Sequence, residues 1–410
     1  MIGTDIELKY RGWLDNDQLQ LVLLILSKDG EQARVNGGAV RNAIMGEPIS
    51  DVDISTTLLP EDVIERLEAK GMKVIPTGIE HGTVTVLTDG HHFEVTTLRE
   101  DIATDGRHAM VEFGRDWKLD AMRRDMTMNA LYCDINGKVY DPLGGYEDLM
   151  ARRVIFIGDA DERIREDYLR ILRFFRFFAW YGTMRPDAEG LKACARLKGE
   201  IKNLSVERVW AELKKLLAAP DPSRALLWMR TAGVLTAVLP ESGKWGIDRI
   251  HGLVRMEKEL KWDFDPVLRM MSILPVSTEV AIGLSKRLKL SSKEAKRLLL
   301  WSQCSLPDVK ISENEFSKLL YRSSPRAMKD TLKLELARIA TYDKDGPMEE
   351  IKFLFAQAQK WQRPDFPVQG KDLLAQGFKE GAELGLKLAG LEEMWVESDF
   401  TMSKSDLLGE

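Results

Sequence analysis

Val35-Asn36-Gly37-Gly38-Ala39-Val40-Arg41, followed by Ser50-Asp51-Val52-Asp53-Ile54, is the stretch whose reading decides this fold. Strand side chains alternate between faces, so residues i and i+2 point the same way. A strand is predicted over 51–55, with the Asp51 and Asp53 carboxylates on one face. Paired oxygen donors suit hard cations such as Mg²⁺. Two such ions can activate an attacking hydroxyl and stabilise a leaving pyrophosphate. The Gly-Gly turn, placed ahead of a helix, offers backbone N–H groups and a helix N-terminus to an anion. Arg41 adds a fixed positive charge. Taken singly, D-x-D also marks a solvated strand end, and Gly-Gly also marks an ordinary turn. In the order strand, turn, helix, strand they describe a nucleoside triphosphate site.

A third carboxylate extends the pattern. The runs 82–88 (GTVTVLT) and 92–98 (HFEVTTL) are β-branched, and Asp89-Gly90 between them is a hairpin signal. In the second run Phe93, Val95 and Thr97 share one face. Glu94 lies on the other, as a candidate third ligand or general base, or as an ordinary exposed strand position.

Two further clusters bear on chemistry. Arg123-Arg124-Asp125-Met126-Thr127-Met128-Asn129-Ala130 closes a helical stretch. Arginine forks match phosphates and sugar hydroxyls, and an aspartate can orient the fork. The other reading is a surface ion-pair cluster. In 166–176 (EDYLRILRFFR), Asp167, Arg170, Arg173 and Arg176 recur every three residues, a spacing that shares one helix face. Amphipathic packing would account for that. A sharper reading is that the carboxylate accepts from an exocyclic amine while a guanidinium donates to a ring nitrogen. Adenine and cytosine present an amino group beside a ring acceptor; guanine and uracil present the reverse. An Asp/Arg pair therefore accepts A and C and leaves buried groups unpaired against G and U.

Composition sets the frame. The chain has 410 residues, 44% hydrophobic and 30% charged, which is too long for one simple core and fits a globular protein of several domains. No apolar run is long enough to span a bilayer, and the N-terminus lacks a secretory signal pattern. Cys133, Cys194 and Cys304 are scattered, consistent with a reducing, cytoplasmic setting and no disulfide framework. The cysteines and the five histidines show no zinc-ligand spacing. The net charge of −6 is unlike that of many nucleic-acid binders, though local patches matter more than the sum.

Together the motifs resemble those of class II CCA-adding enzymes (tRNA nucleotidyltransferases) and their relatives, the bacterial poly(A) polymerases. GGAVR with DVD resembles the metal and triphosphate motif, RRDMTMNA the ribose motif, and EDYLRILRFFRF the amino-acid template that reads the incoming base. Glu207-Arg208 onward, with 225–241, resembles the helical body motif. The resemblance implies that Asp51 and Asp53 bind Mg²⁺; Glu94, read from its strand face, is expected to join them as a further catalytic residue. It implies that Gly38 and Arg41 bind nucleotide, that Arg124 and Asp125 serve the ribose motif, and that Asp167, Arg170, Arg173 and Arg176 line the base pocket. The fold expected is an α+β nucleotidyltransferase head, a small mixed sheet with helices over 1–153 including lead-in helices. An all-α remainder follows: a neck over 154–200, a body over 201–275 and a tRNA-binding tail over 276–410.

The activity implied is template-independent addition of CCA to tRNA 3′ ends from CTP and ATP. A-adding, CC-adding, poly(A)-polymerising and non-catalytic RNA-binding alternatives stay open; the segment 79–84 (IEHGTV) resembles the CCA-adding version. Asn42 stands where the family usually has Asp, and is expected to cap the following helix. Met126 and Met128 are expected in the core. The polar segment 101–117 reads as a flexible loop. In the tail, Lys286, Arg287, Lys289, Lys293, Lys296 and Arg297 form a basic stretch that either grips RNA phosphates or is a solvated helix face.

Overall fold

A computed structural model of the chain describes residues 12–105, 108–243, 247–343 and 345–409. The chain divides into two compact units, Met1–Pro240 and Glu241–Glu410. That boundary falls inside the segment 201–275, expected above as one helical body.

The first unit is built on a mixed sheet. Its strands are β1 (Ala33–Asn36), β2 (Asp53–Thr56), β3 (Lys73–Gly78), β4 (Thr83–Thr88) and β5 (His91–Thr97). β6 (Arg99–Asp105) and β7 (His108–Phe113) form a separate ribbon, and β8 (Tyr132–Cys133) and β9 (Val139–Tyr140) complete the set. The seven-stranded sheet runs β3-β4-β5-β2-β1-β8-β9. Only β2 and β5 pair in parallel; every other neighbouring pair in it is antiparallel. The hairpin turn predicted at Asp89-Gly90 is present, and a second stands at Asn136-Gly137. Asp89 and Gly90 both adopt positive φ between β4 and β5, and Gly137 does so between β8 and β9. Phe93, Val95 and Thr97 are buried and Glu94 is exposed, as the alternation requires.

Local sequence explains the helices that brace this sheet. In the lead-in helix Asp17–Leu26, Asn16 caps the N-terminus, and Leu19, Val22, Leu23 and Leu26 bury one stripe. Helix Pro60–Glu68 starts with proline and acidic residues and buries Val63 and Leu67. Met126 and Met128 are fully buried, in keeping with a core role.

Three expectations need correction. β2 begins at Asp53, so Asp51 lies in the irregular segment before the strand, and strand alternation does not place it. The stretch 101–117 is no single loop. β6 and β7 pair antiparallel, and Asp116 then caps helix Trp117–Met122 through the Lys118 amide. Residues 106 and 107 and the side chains of 101–111 lie outside the described set. Asp167 does not share a helix with the arginines. Helix Ala160–Glu166 ends at it, with φ −153°, and the neck helix starts afresh at Arg170–Tyr181. A repeat of three cannot reveal a break between two helices, because the residues keep their spacing on either side of it.

The neck helix buries Ile171, Leu172, Phe174, Phe175, Phe178 and Tyr181. The apolar stripe anchors the helix and leaves its arginines on the opposite side.

The second unit is helical among its described residues. Arg269 and Glu257 are both almost fully buried and form an ion pair at 2.6 Å. The basic stretch spans two helices, Thr278–Arg287 and Ser292–Ser302. Arg287 is taken up by Glu241, and Arg297 by Asp265 and Asp330, each at 2.7 Å, so two of the six cations serve the fold. Among the described residues no helix is long and apolar enough to cross a membrane. Helix Asp248–Glu259 packs on helix Pro325–Tyr342 at Gly252. A Cβ there would meet the Ala337 carbonyl oxygen at 2.1 Å and Thr341 Oγ1 at 2.2 Å. Both obstacles belong to the facing helix, so Gly252→Ala must push the two apart. It should destabilise the protein by roughly 1–3 kcal/mol. Calorimetric unfolding tests this; superimposable traces for variant and wild type would contradict the close packing.

Candidate active site

Gly37 turns the chain out of β1 with φ 61° and ψ −117°, a conformation open to glycine, and helix Gly38–Met45 begins at once. The same turn brings Arg41 inward. Its guanidinium is buried and donates to the Tyr181 hydroxyl at 2.7 Å, to Asn42 Oδ1 at 3.1 Å and to Asn129 Oδ1. It also lies 4.1 Å from the Tyr181 ring centroid. Every one of these partners is neutral, and among the described residues no carboxylate lies within ion-pair range of it. Burial accordingly pushes its pKa below the ordinary arginine value. Asn42 does not cap a helix. It sits inside one, accepts from Arg41 and Tyr181, and donates to the Pro48 carbonyl at 2.7 Å.

Asp53 opens β2, and in the parallel ladder its register partner on β5 is Glu94. Burial, then the Glu94 carboxylate, push the Asp53 carboxyl upward; Asp51 adds to this and Arg124 opposes it. Asp51 is exposed and accepts from Ser50 Oγ at 2.9 Å. Among the described residues no three His, Cys, Asp or Glu side chains are gathered as a complete ligand set. One or two carboxylates completed by substrate phosphates is nevertheless the usual manner of holding Mg²⁺. The like charge that raises the Asp53 carboxyl is what a divalent cation relieves, so Asp51 and Asp53 fit such an ion.

Arg124 is oriented by Asp120, not by the adjacent Asp125. It donates to Asp120 Oδ2 at 3.1 Å, to Asn36 Oδ1 at 2.8 Å and to the Tyr132 hydroxyl at 3.1 Å. Tyr132 passes its own proton donor to Asp120 at 2.7 Å, and Arg123 takes the other Asp120 oxygen. Burial alone would raise the Asp120 carboxyl, but the Arg124 and Arg123 guanidinia outweigh it and hold it at about 2. Asp125 instead faces the neck helix. Arg173 bridges to it at 2.6 Å and Asn129 donates to it at 3.0 Å. Against the effect of burial, Arg173 leads the interactions that hold Asp125 at about 2.

The base-reading set is arranged differently from the expected Asp167–Arg170 pair. Arg170 donates to Glu166 and to the Arg163 carbonyl. The Asp167 carboxylate accepts from Arg208 at 2.6 Å and from the Leu169 amide at 3.1 Å. Arg176 lies 4.2 Å from the Phe177 ring centroid, and its Nε is 3.0 Å from Glu212 Oε2. That contact is an ion pair without hydrogen-bond alignment, since neither atom has a hydrogen-bond partner.

Gly38, Arg41, Asp53, Arg124, Asp125, Asp167, Arg170, Arg173 and Arg176 line one cavity. Asp51 lines the cleft that adjoins it, and Glu94 lines neither. Arg208, Asp120, Asn129 and Tyr181 went unassigned in the sequence. Only Asp120 carried a local signal, four residues before Arg124 on one helix.

Asp120 yields a pH prediction. Its folded pKa lies below the unfolded value near 3.8, so its contribution is present above about pH 4 and is lost as pH falls towards 2. Asp120→Asn should cost at least about 2 kcal/mol at pH 7, and the gap to wild type should narrow between pH 4 and 2. Denaturant titrations across that window decide it; a gap independent of pH would mean that Asp120 is not held ionised.

Two family models match the chain: the poly A polymerase head domain over residues 33–155, and a probable RNA and SrmB-binding site of polymerase A over 183–244. The mitochondrial CCA tRNA nucleotidyltransferase 1 of Mus musculus is 34% identical over 96% of this chain and 90% of its own length. The CCA-adding enzyme of Lactococcus lactis is 30% identical over 96% and 95%. Among solved structures, the Bacillus stearothermophilus CCA-adding enzyme in complex with CTP matches with a TM-score of 0.68 and 28% identity, over 93% of this chain and 92% of that one. With such identity sustained along nearly the whole length, this chain belongs to the family of CCA-adding enzymes, the tRNA nucleotidyltransferases.

Proposed function

We propose that this chain extends tRNA 3′ ends by two C residues and one A, using CTP and ATP, with Asp51 and Asp53 holding Mg²⁺ and no nucleic-acid template. The observation that carries the reading is the single cavity in which Asp53 stands across from the neck-helix arginines and Asp167. The ion would supply charge neutralisation at the phosphates and acidify the attacking hydroxyl. The 3′-oxygen forms a bond to the α-phosphorus, and the bond from that phosphorus to pyrophosphate breaks. The hydroxyl proton passes to a carboxylate of the Asp51, Asp53 and Glu94 group. Arg41 answers the triphosphate, whose charge its neutral neighbours leave room for. Arg124, pinned on three sides, presents a fixed fork to the ribose. A reducing compartment such as the cytoplasm belongs to this reading, supported by three free thiols, Cys133, Cys194 and Cys304.

Base selection follows from exchange of partners. Asp167 accepts from the exocyclic amine of C or A in place of Arg208, and Arg170 turns from Glu166 to the ring nitrogen. Uracil and guanine offer the wrong polarity and cannot replace the bonds given up. The division into head, neck, body and tail belongs to the same reading, with the neck supplying the base-reading face.

The deciding experiment supplies a tRNA lacking its terminal CCA, with Mg²⁺. CTP alone should add two residues and stop; both nucleotides should add three and stop. A long A ladder, or A or CC alone, would replace this activity with one of its relatives. Asp53→Ala should abolish incorporation of both nucleotides while tRNA binding, followed by gel shift, stays near wild type. Residual turnover in that variant would remove Asp53 from the metal site. Asp167→Ala should erode discrimination against UTP and GTP by about 1–3 kcal/mol, read from the four incorporation efficiencies. Selectivity equal to wild type would assign Asp167 to the fold through Arg208.

A further inference from the structure

The cavity just described has a neighbour. A second cleft shares Gly38, Arg41, Asp53, Arg176 and Phe177 with it and continues past Asp51 and Pro48 towards Trp180 and Lys215. The two openings therefore share a wall that includes Asp53. A transfer reaction needs two ligands to meet at that carboxylate, and the linings of the two openings differ. The first contains Asp125, Asp167, Arg173 and Arg208, groups able to read a base edge. The second contains none of these. It contains Asp51, the indole of Trp180 and the end of helix Val206–Leu217.

Trp180 is unusual among the aromatic residues of the neck helix. It is 42% exposed, whereas Phe174, Phe175, Phe177, Phe178 and Tyr181 are buried. Its exposure is not laxity, because Nε1–H donates to the Lys215 carbonyl at 2.9 Å. A large ring held at a fixed angle in an open cleft, leading to a catalytic carboxylate, is a stacking platform for an unpaired base. Stacking reads no sequence, since every base has a π face, which suits a substrate whose last residue changes at each addition.

We infer that this second cleft holds the 3′-terminal nucleotide of the acceptor RNA, with its base stacked on Trp180 and its 3′-hydroxyl directed to Asp51 and Asp53. The inference rests on the activity given under Proposed function and adds a positioning residue to it. Trp180 does not touch the reacting atoms; it sets where the hydroxyl lies.

The test uses the full chain and an acceptor minihelix lacking CCA, with its last nucleotide either natural or abasic. Trp180→Leu should raise KM for the natural minihelix roughly tenfold, within the range that base–aromatic stacking supports, and leave KM for CTP unchanged. Trp180→Phe, which keeps a ring but loses the bond to Lys215 that holds it, should fall between wild type and Trp180→Leu. Removing the terminal base should weaken the wild type by a similar factor and Trp180→Leu no further. Equal penalties for base removal in the two proteins would overturn the inference, as would an abasic minihelix that wild type uses normally. A wild type that extends neither minihelix overturns the activity itself, and this inference with it.

Discussion

The Asp125–Arg173 bridge is the contact on which the rest of the pocket depends. Asp125 leaves water here almost entirely and Arg173 in large part, a step that is unfavourable unless each is answered. Both are answered: Asp125 also accepts from Asn129, and Asn129 in turn receives Arg41. The bridge thus ties the α/β head to the neck helix and sets Arg41, at the glycine turn, relative to Arg173. With Arg173 fixed, the helical repeat fixes Arg170 and Arg176 on the same side. The ends of the central strands β1 and β2 and a helix face become two walls of one cavity.

Within that frame the arginines divide by what answers them. Arg124 has Asp120, Arg173 has Asp125, Arg176 has Glu212 and Arg208 has Asp167. Arg41 has hydroxyl and amide oxygens only. A buried cation with neutral partners is the least satisfied member of the group. The carboxylate side mirrors this, since Asp53 is surrounded by like charge from Glu94 and Asp51. The protein's own charges are therefore unbalanced at both ends of this cavity.

Much of this was legible from local pattern. Asp89-Gly90 and Asn136-Gly137 specify turns through backbone conformations that few residues adopt. The alternation through Phe93, Glu94 and Val95 specifies a face. Glycine, arginine and aspartate motifs named many of the residues that line the cavity, with Asp51 in the adjoining cleft and Glu94 in neither. What was not legible is partnership across distance. Arg208 is 41 residues from Asp167 and Asp125 is 48 from Arg173, and no spacing rule reaches that far. The break at Asp167 was hidden because spacing of three continues through it. Asp51 fell outside β2 because alternation says which face a strand residue takes, not where the strand begins.

The separation of these partners along the chain also orders the history of each molecule. Synthesis runs from the N-terminus, so Asp125 is made 48 residues before Arg173, and Asp167 is made 41 residues before Arg208. Through that interval Asp125 stays without the guanidinium that later pairs with it. The pocket closes late, when the helix Val206–Leu217 emerges and docks. A nascent chain that has finished its sheet therefore still lacks a nucleotide site, and chains released early would carry the carboxylates of a catalyst without the walls that confine a substrate.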